Sequence, residues 1–425
     1  MKDQKRNRAE LLILLLIVII VSIFFMSCET TKTKIEYIEV EPPDVPIDSV
    51  FNVSTTEDWE YAIEKISTQG DGHEYLINIT ENSVIIYGSQ AFGEMTFGTV
   101  KNISVTIEGQ NNNLVPLAYF LQINQFQNII INNLYLNLQP NLGEINPAVT
   151  VRGEESMLTL TGNTRVLGPV NVGFEVSGGG TFNLIENTTL SNFTEAVIVN
   201  QGGLFYMRDN ASILGYIHAV TINNYGGFYM YGGVISNNNV SPSINTRGQG
   251  NVINIQVGGF FGMYGGTISN NVLAHNLLRR SIINVDGGTF QMINGSISNN
   301  NVNENNQQAI IHIEGWGEFY MYGGTIFSNT SFAVISVADG HFNWTGGIIY
   351  GSEETGVVSE LANIGRTLNV FPGYNYHVRN LLPHVDGYEY YTYYSYPWPL
   401  PGNTLIKIYQ YDYDTSINEI EFVKE

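Results

Sequence analysis

Cysteine and positive charge are what this sequence has least of. Its 425 residues include one cysteine, Cys28, so no disulfide within the chain can stabilise the fold. Lysine and arginine number 18 against 39 aspartates and glutamates, which leaves a formal net charge of −21. A surface this acidic repels phosphate groups and anionic lipid headgroups. We therefore exclude nucleic acid as a partner.

Charged residues of either sign are also scarce, at 13% of the chain, while glycine, asparagine, tyrosine and isoleucine are abundant. This composition favours strands and tight turns over solvated helices. The chain is longer than a typical domain with one core, but a solenoid grows by repetition without enlarging its core. We therefore expect an all-β fold, and the length does not require two domains.

The N-terminus has the layout of an exported bacterial lipoprotein. Residues 1–27 combine a basic start at 2–8 with an apolar run at 11–26, as a secretory signal peptide does. Cys28 follows at the position where lipoprotein signals place the acylated residue. We predict a lipid on Cys28 and an extended tether over 28–49. The alternatives are an uncleaved membrane anchor and an incidental cysteine beside an ordinary signal.

A repeated unit runs through the middle of the chain and reads Gly-Gly-x-Phe-x-Met followed by Gly-Gly-x-Ile-Ser-Asn-Asn. Its large apolar position recurs every 23 to 33 residues, at Leu158, Phe182, Phe205, Phe228, Phe261, Phe290, Phe319 and Phe342. Each unit holds three short runs in which inward-facing and outward-facing residues alternate, for example 220–222, 228–230 and 234–235. Three strands per unit predict one coil of a parallel β-helix, and parallel crossovers are overwhelmingly right-handed.

The repeat divides the chain into segments. It predicts regular β-helix coils over 148–370, in which alternation buries the phenylalanines and methionines as core columns rather than as a cofactor pocket. The segment 50–147 predicts an N-terminal cap with irregular first coils, and there Thr55 and Asp58 indicate the cap of a short helix. Residues 371–425 hold eleven tyrosines and predict a Tyr-rich C-terminal β cap or small β module.

Asparagines recur at one turn of the repeat. The alignment places Asn192, Asn237, Asn270, Asn299 and Asn329 there. Side-chain amides stacked at the same turn of successive coils can hydrogen-bond to each other along the solenoid axis. We therefore predict an asparagine ladder with a structural role.

The repeat resembles that of the pectate-lyase-like right-handed β-helix superfamily, and more closely that of Gly-Gly-x-Ile-Ser-Asn-Asn repeat lipoproteins of spirochaete surfaces. The resemblance covers roughly half the chain and is carried by 226–238, 258–271, 287–301, 317–329 and 346–351. It implies the right-handed parallel β-helix fold. It leaves the activity open, because this fold hosts lyases, hydrolases, adhesins and inert scaffolds alike.

Enzymes of that superfamily usually carry acidic side chains on the outward positions of one strand column. The outward column in this sequence reads Thr221, Asn254, Asn284, His312 and Ser336, without a carboxylate. Glycoside hydrolysis normally needs a pair of carboxylates. We therefore assign no catalytic residue to this column.

The best acidic set is Asp286, Glu314 and Asp339, one per coil at nearly the same turn. Calcium binds about six to eight oxygen atoms, and three carboxylates together with backbone carbonyls and water could supply them. Acidic side chains at solenoid turns are otherwise simply solvated. Calcium is the one cofactor that the sequence suggests.

The alternation that buries phenylalanine exposes a stripe of tyrosines. Its members are Tyr206, Tyr229, Tyr231, Tyr264, Tyr320 and Tyr322, and Gly262, Gln291 and Ile293 interrupt it. An exposed tyrosine offers a flat apolar face with a hydroxyl at its edge, which suits sugar rings and protein surfaces. The alternative is that the rings stack between coils and only stabilise the sheet.

The export signal, the tether, the tyrosine stripe and the missing carboxylate column together favour a non-catalytic surface lipoprotein. We expect an N-terminal lipid to attach it to a membrane, on the outer surface of a bacterial cell envelope. We expect the β-helix to bind a glycan or a surface protein as an adhesin does. The alternative is a polysaccharide lyase or glycoside hydrolase acting through the acidic set, and the second alternative is an inert structural surface protein.

Overall fold

The computed structural model describes residues 49–349 with gaps, and four short segments beyond them. The gaps are 70, 83, 87–95, 111–112, 119, 139–146, 216–217, 241–250, 274–280, 303–308, 332, 338–339 and 345, and the further segments are 358–359, 367–370, 404–408 and 420–424. The predicted signal peptide, Cys28, almost all of the tether and most of the Tyr-rich segment lie outside the described residues. Their assignments stay predictions.

The chain is mostly β and folds as a parallel β-solenoid of about nine turns, with one short helix near the N-terminus. A single coil holds three short strands, His218–Ile222, Gly227–Met230 and Val234–Ser236. Each of them pairs in parallel with its equivalent one coil further along the chain. Clusters of Asn and Gly form the turns between them, as the repeat predicts.

The strands stack in three columns, which we name the Phe sheet, the second sheet and the third sheet. The Phe sheet contains Val50–Val53, Glu74–Ile79, Ile103–Gly109, Gln127–Asn132, Met157–Thr161, Thr181–Leu184, Leu204–Met207, Gly227–Met230, Phe260–Met263, Thr289–Met292, Gly317–Met321, Gly340–Trp344 and Thr367–Val370. The second sheet contains Leu114–Leu117, Tyr135–Leu138, Ser212–Leu214, Val234–Ser236, Thr267–Ser269, Ser296–Ser298, Thr325–Phe327 and Ile348–Ile349. The third sheet contains Leu121–Ile123, Val149–Arg152, His218–Ile222, Ile253–Ile255, Ser281–Asp286, Ala309–Glu314, Ala333–Val337 and Val358–Ser359.

Two long strands, Arg165–Ser177 and Thr189–Val199, contribute to both the second and the third sheet, because each continues through the corner between them. A small parallel sheet contains Asn239–Val240, Val272–Leu273 and Asn301–Val302. Thr404–Ile408 pairs antiparallel with Ile420–Lys424.

Helix α1 spans Thr56–Thr68 and begins with a capping box. The Thr55 hydroxyl accepts a hydrogen bond from the Asp58 backbone N–H at 3.2 Å, and the Asp58 carboxylate accepts one from the Thr55 N–H at 3.0 Å. Trp59 and Ile66 bury one face of the helix in the core. The helix predicted from Thr55 and Asp58 is confirmed. No helix in the described part of the chain has both the length and the apolar character to cross a bilayer.

The predicted phenylalanine and methionine columns form the core beneath the Phe sheet. Phe182, Phe205, Phe228, Phe261, Phe290, Phe319 and Phe342 are each at most 1% exposed. Their rings stack from coil to coil with centroids 4.6–5.1 Å apart. Met207, Met230, Met263, Met292 and Met321 form the adjacent buried column. Because this ring separation matches the spacing of paired strands, each coil adds one ring contact to the ladder.

The asparagine ladder is present, one residue later than predicted for most of its members. Buried Asn238, Asn271, Asn300 and Asn329 hydrogen-bond from side chain to side chain at 2.8–3.0 Å. The predicted members Asn192, Asn237, Asn270 and Asn299 instead hold the left-handed backbone of the turn, with φ between 55° and 67°. Only Asn329 was placed correctly. The error arose because asparagine suits both a left-handed turn and an amide ladder.

Candidate binding surface

The six predicted tyrosines lie in two groups on the outer side of the Phe sheet. Tyr206, Tyr229, Tyr231 and Tyr264 belong to three successive coils, and Tyr320 and Tyr322 to a later one. Tyr231 and Tyr322 are 46% and 48% exposed, and the other four are half-buried. The alternation therefore predicted the outer side correctly.

The first group forms one continuous aromatic surface. Tyr206 stacks on Tyr229 with centroids 5.2 Å apart, and Tyr231 stacks on Tyr264 at 4.8 Å. Phe260 joins them, since its ring centroid lies 5.4 Å from that of Tyr229. We name the following six residues the aromatic patch: Tyr206, Arg208, Tyr229, Tyr231, Phe260 and Tyr264.

Two glycines allow rings of the aromatic patch to lie across the sheet. A Cβ at Gly262 would be 2.8 Å from Tyr264 Cε2 and 3.0 Å from Phe260 Cε1. A Cβ at Gly227 would likewise be 2.9 Å from Tyr229 Cε2. Gly262 interrupts the column of tyrosines, as predicted, but the aromatic surface continues across it, because neighbouring rings occupy the space that its missing side chain leaves. Gln291 and Ile293 separate the two groups of tyrosines.

Arg208 is the one cation of the aromatic patch, and sequence reasoning missed it. Its guanidinium carbon lies 5.3 Å from the Tyr206 ring centroid and 5.2 Å from that of Tyr231. Both distances are typical of cation–π contacts. Arg208 thus bridges the two stacked tyrosine pairs. Its position two residues after Tyr206, on the same side of the strand, was the signal that could have revealed it.

Two of these tyrosines have hydroxyls that are harder to ionise than usual, one in each group. Burial raises the pKa of Tyr229 above its ordinary value, and the surrounding tyrosines add to this. Burial also raises the pKa of Tyr320, whose hydroxyl donates a hydrogen bond to Glu318 Oε2 at 3.0 Å. Tyr320 and Tyr322 lie with ring centroids 6.1 Å apart. Tyr229 therefore keeps a neutral hydroxyl beside a flat apolar face, while the hydroxyl of Tyr320 already donates to Glu318.

The polar column of the third sheet has the predicted register but a different environment. Thr221, Asn254, Asn284, His312 and Ser336 occupy equivalent positions on successive coils. They are at most 9% exposed, although alternation places them on the outer side. Asn284 Nδ2 donates to Asn254 Oδ1 at 3.2 Å. The column is therefore a buried polar row rather than an exposed one.

The structure brings together two of the three predicted calcium ligands. Asp286 and Glu314 are in register on neighbouring coils, while Asp339 lies outside the described residues. Burial raises the pKa of the Asp286 carboxyl, Glu314 raises it further, and His312 opposes them. His312 Nε2 is 3.6 Å from Glu314 Oε2. In the described part of the chain no group of three or more His, Cys, Asp or Glu could hold a metal ion, so the calcium site stays a prediction.

A second exposed feature lies at the corner that leads from the third sheet into the Phe sheet. One turn position has a positive φ of 64–86° on six successive coils, occupied by Gly179, Gly202, Tyr225, Gly258, Gly287 and Trp316. Glycine suits this backbone, whereas aromatic residues rarely adopt it. Tyr225 and Trp316 are nevertheless 83% and 71% exposed. Two coils thus display an aromatic side chain where the turn itself favours glycine.

Tyr225 provides a test of this turn geometry. Because asparagine tolerates a left-handed backbone and valine does not, we expect Tyr225→Val to be about 1 kcal/mol less stable than Tyr225→Asn. Urea unfolding of both variants, followed by circular dichroism, measures the difference. Equal midpoints for the two would contradict the positive φ assigned to this residue.

These features define the class of protein as a parallel β-solenoid with an aromatic outer surface. No protein-family model matches the chain, and no curated protein matches it in sequence. Among solved structures, it is similar to a fragment of TibA whose hyper-glycosylation TibC catalysed, at 12% sequence identity and a TM-score of 0.31. The match covers 77% of this chain and 94% of the fragment. A likeness at this level carries no argument about function.

Proposed function

We propose that this protein is a non-catalytic surface lipoprotein whose solenoid binds a glycan or a surface protein, as an adhesin does. The aromatic patch is the observation that carries the proposal. Its rings lie across the sheet and present apolar faces with hydroxyl edges, a surface that suits sugar rings and protein partners. Gln291 and Ile293 occupy the same two columns in another coil, so the sheet itself does not require tyrosine there.

The proposal includes how the solenoid is displayed. A lipid on Cys28 attaches the chain to a membrane, and the tether over 28–49 holds the solenoid away from it. The protein then faces outward from a bacterial cell envelope. Its negative charge disfavours nucleic acid as a partner.

We also propose that the solenoid is right-handed and related to the pectate-lyase-like β-helices, and more closely to the repeat lipoproteins of spirochaete surfaces. The Gly-Gly-x-Ile-Ser-Asn-Asn units support this relationship. The strong preference of parallel crossovers for one hand supports the handedness.

The test is binding of the full chain to an immobilised glycan array and to purified extracellular matrix glycoproteins. We expect at least one ligand whose affinity falls about tenfold in Tyr229→Ala and in Tyr322→Ala, because exposed aromatic residues dominate such contacts. Tyr135→Ala is the matched control, since Tyr135 is a half-buried tyrosine on the second sheet. It should bind as the unmodified chain does.

Other outcomes would overturn the proposal. Absence of any ligand sensitive to Tyr229→Ala and Tyr322→Ala would favour an inert surface protein. Calcium-dependent release of unsaturated or reducing sugar ends from uronate polymers, abolished by Asp286→Ala, would favour a polysaccharide lyase or hydrolase. The raised pKa of Asp286 beside Glu314 is the one observation that favours this second function.

A further inference from the structure

We propose that Arg208 makes the aromatic patch a subsite for an acidic sugar, and that its guanidinium binds the negatively charged group of that sugar. This inference rests on the proposed binding function and specifies its ligand. The patch would bind a carboxylated or sulfated sugar in preference to its neutral counterpart.

The position of the guanidinium is fixed by the rings around it. Arg208 occupies the same column as Tyr231 and Tyr264, one and two coils before them, and Tyr206 lies beside it on its own strand. The two cation–π contacts hold its guanidinium between Tyr206 and Tyr231. An arginine stacked in this way loses little further conformational entropy when its N–H groups bind a ligand.

No carboxylate within the described residues forms an ion pair with Arg208. The adjacent Asp209 accepts a hydrogen bond from the Glu186 backbone N–H at 3.1 Å, so that carboxylate already has a partner. Arg208 itself is exposed. Since no acidic partner among the described residues neutralises it, the charge of Arg208 is available to an anion from outside, even though the chain as a whole has a net charge of −21.

The neighbouring rings determine which kind of anion fits. Tyr231 and Tyr264, with centroids 4.8 Å apart, provide an apolar face next to the guanidinium. A ligand that uses both features has a flat apolar ring face and one charged group at its edge. A pyranose carrying a carboxylate or a sulfate has this form. A long acidic peptide offers charge but no comparable ring face, so an acidic sugar suits the patch better.

The test is titration of the full chain with lactose, sialyllactose, sulfated lactose and poly-glutamate at low and at high salt. We expect sialyllactose or sulfated lactose to bind about tenfold or more tightly than lactose, because a hydrogen bond to a charged group contributes more than a neutral one. This preference should weaken as salt increases. Arg208→Gln should abolish the preference, and Arg208→Lys should retain part of it because lysine keeps the charge without the planar fork.

Arg165→Gln is the matched control, since Arg165 is also an exposed arginine but belongs to the strand that begins on the second sheet. It should leave the preference unchanged, and circular dichroism should show the same fold for every variant. Comparing sialyllactose with sulfated lactose identifies whether the anion is a carboxylate or a sulfate.

The outcomes separate this inference from the proposed function. Equal binding of lactose and both acidic sugars, weakened by Tyr229→Ala but not by Arg208→Gln, would overturn the inference and leave the proposed function standing. Tight binding of poly-glutamate alone, lost in Arg208→Gln, would assign the patch to acidic peptides instead. Absence of any binding sensitive to Tyr229→Ala would overturn both.

Discussion

Phe261→Ala should lower the free energy of unfolding by about 4 kcal/mol, the largest effect that we expect from a single change. Phe261 is fully buried, and its ring stacks on Phe228 at 4.7 Å and on Phe290 at 4.8 Å. Alanine removes both ring contacts and leaves a cavity that rigid neighbouring coils cannot close. The midpoint of urea unfolding, followed by circular dichroism, measures the loss.

The matched control is the preceding residue. Phe260 is also a phenylalanine but is only half-buried on the outer side of the same strand. Phe260→Ala should lower the free energy of unfolding by about 1 kcal/mol, because the contacts that it removes lie on the outer side of the sheet and not in the core. Equal destabilisation by the two substitutions would contradict the assignment of inner and outer columns.

Asn271→Ala should destabilise the protein by about 3 kcal/mol through lost hydrogen bonds. The Asn271 side chain accepts from the Asn238 backbone N–H and side-chain amide at 3.1 and 2.8 Å. It donates to the Ile235 carbonyl at 3.1 Å and to Asn300 Oδ1 at 2.8 Å. Because this turn is buried, water cannot readily replace the four hydrogen bonds that alanine removes.

Asn270→Gly is the control for the ladder. Asn270 is exposed and has a φ of 55°, which glycine adopts without strain. We expect Asn270→Gly to change the free energy of unfolding of the protein by less than about 1 kcal/mol. If Asn270→Gly were as destabilising as Asn271→Ala, the role of Asn271 as the ladder residue would be wrong.

The inner columns could be predicted from the sequence because periodicity alone determines them. Phe228 and Phe261 recur at the same point of the repeat, and alternation then decides which neighbours are buried. The asparagine ladder was harder. Asn270 and Asn271 are chemically identical neighbours, and only the backbone conformation shows that one holds the turn while the other makes the ladder.

The outer surface could be predicted only in part. The tyrosines follow from alternation, and the spacing of Arg208 from Tyr206 places it on the same side, but Phe260 belongs to the aromatic patch through a ring contact between coils, which residue spacing does not specify. Likewise, Asn254 and Asn284 are buried although they lie on the outer side of the third sheet, and alternation alone does not predict this. Alternation specifies the direction of a side chain but not what covers it.

The separation of inner ladders from outer columns has a consequence for how such a protein can change over generations. The phenylalanine, methionine and asparagine columns hold the backbone of every coil in the same register. Substitutions at outward positions such as Tyr231 or Ile293 leave those ladders intact. New binding specificities can therefore arise by exchanging surface residues one coil at a time, while the selection that preserves folding acts on a different set of positions.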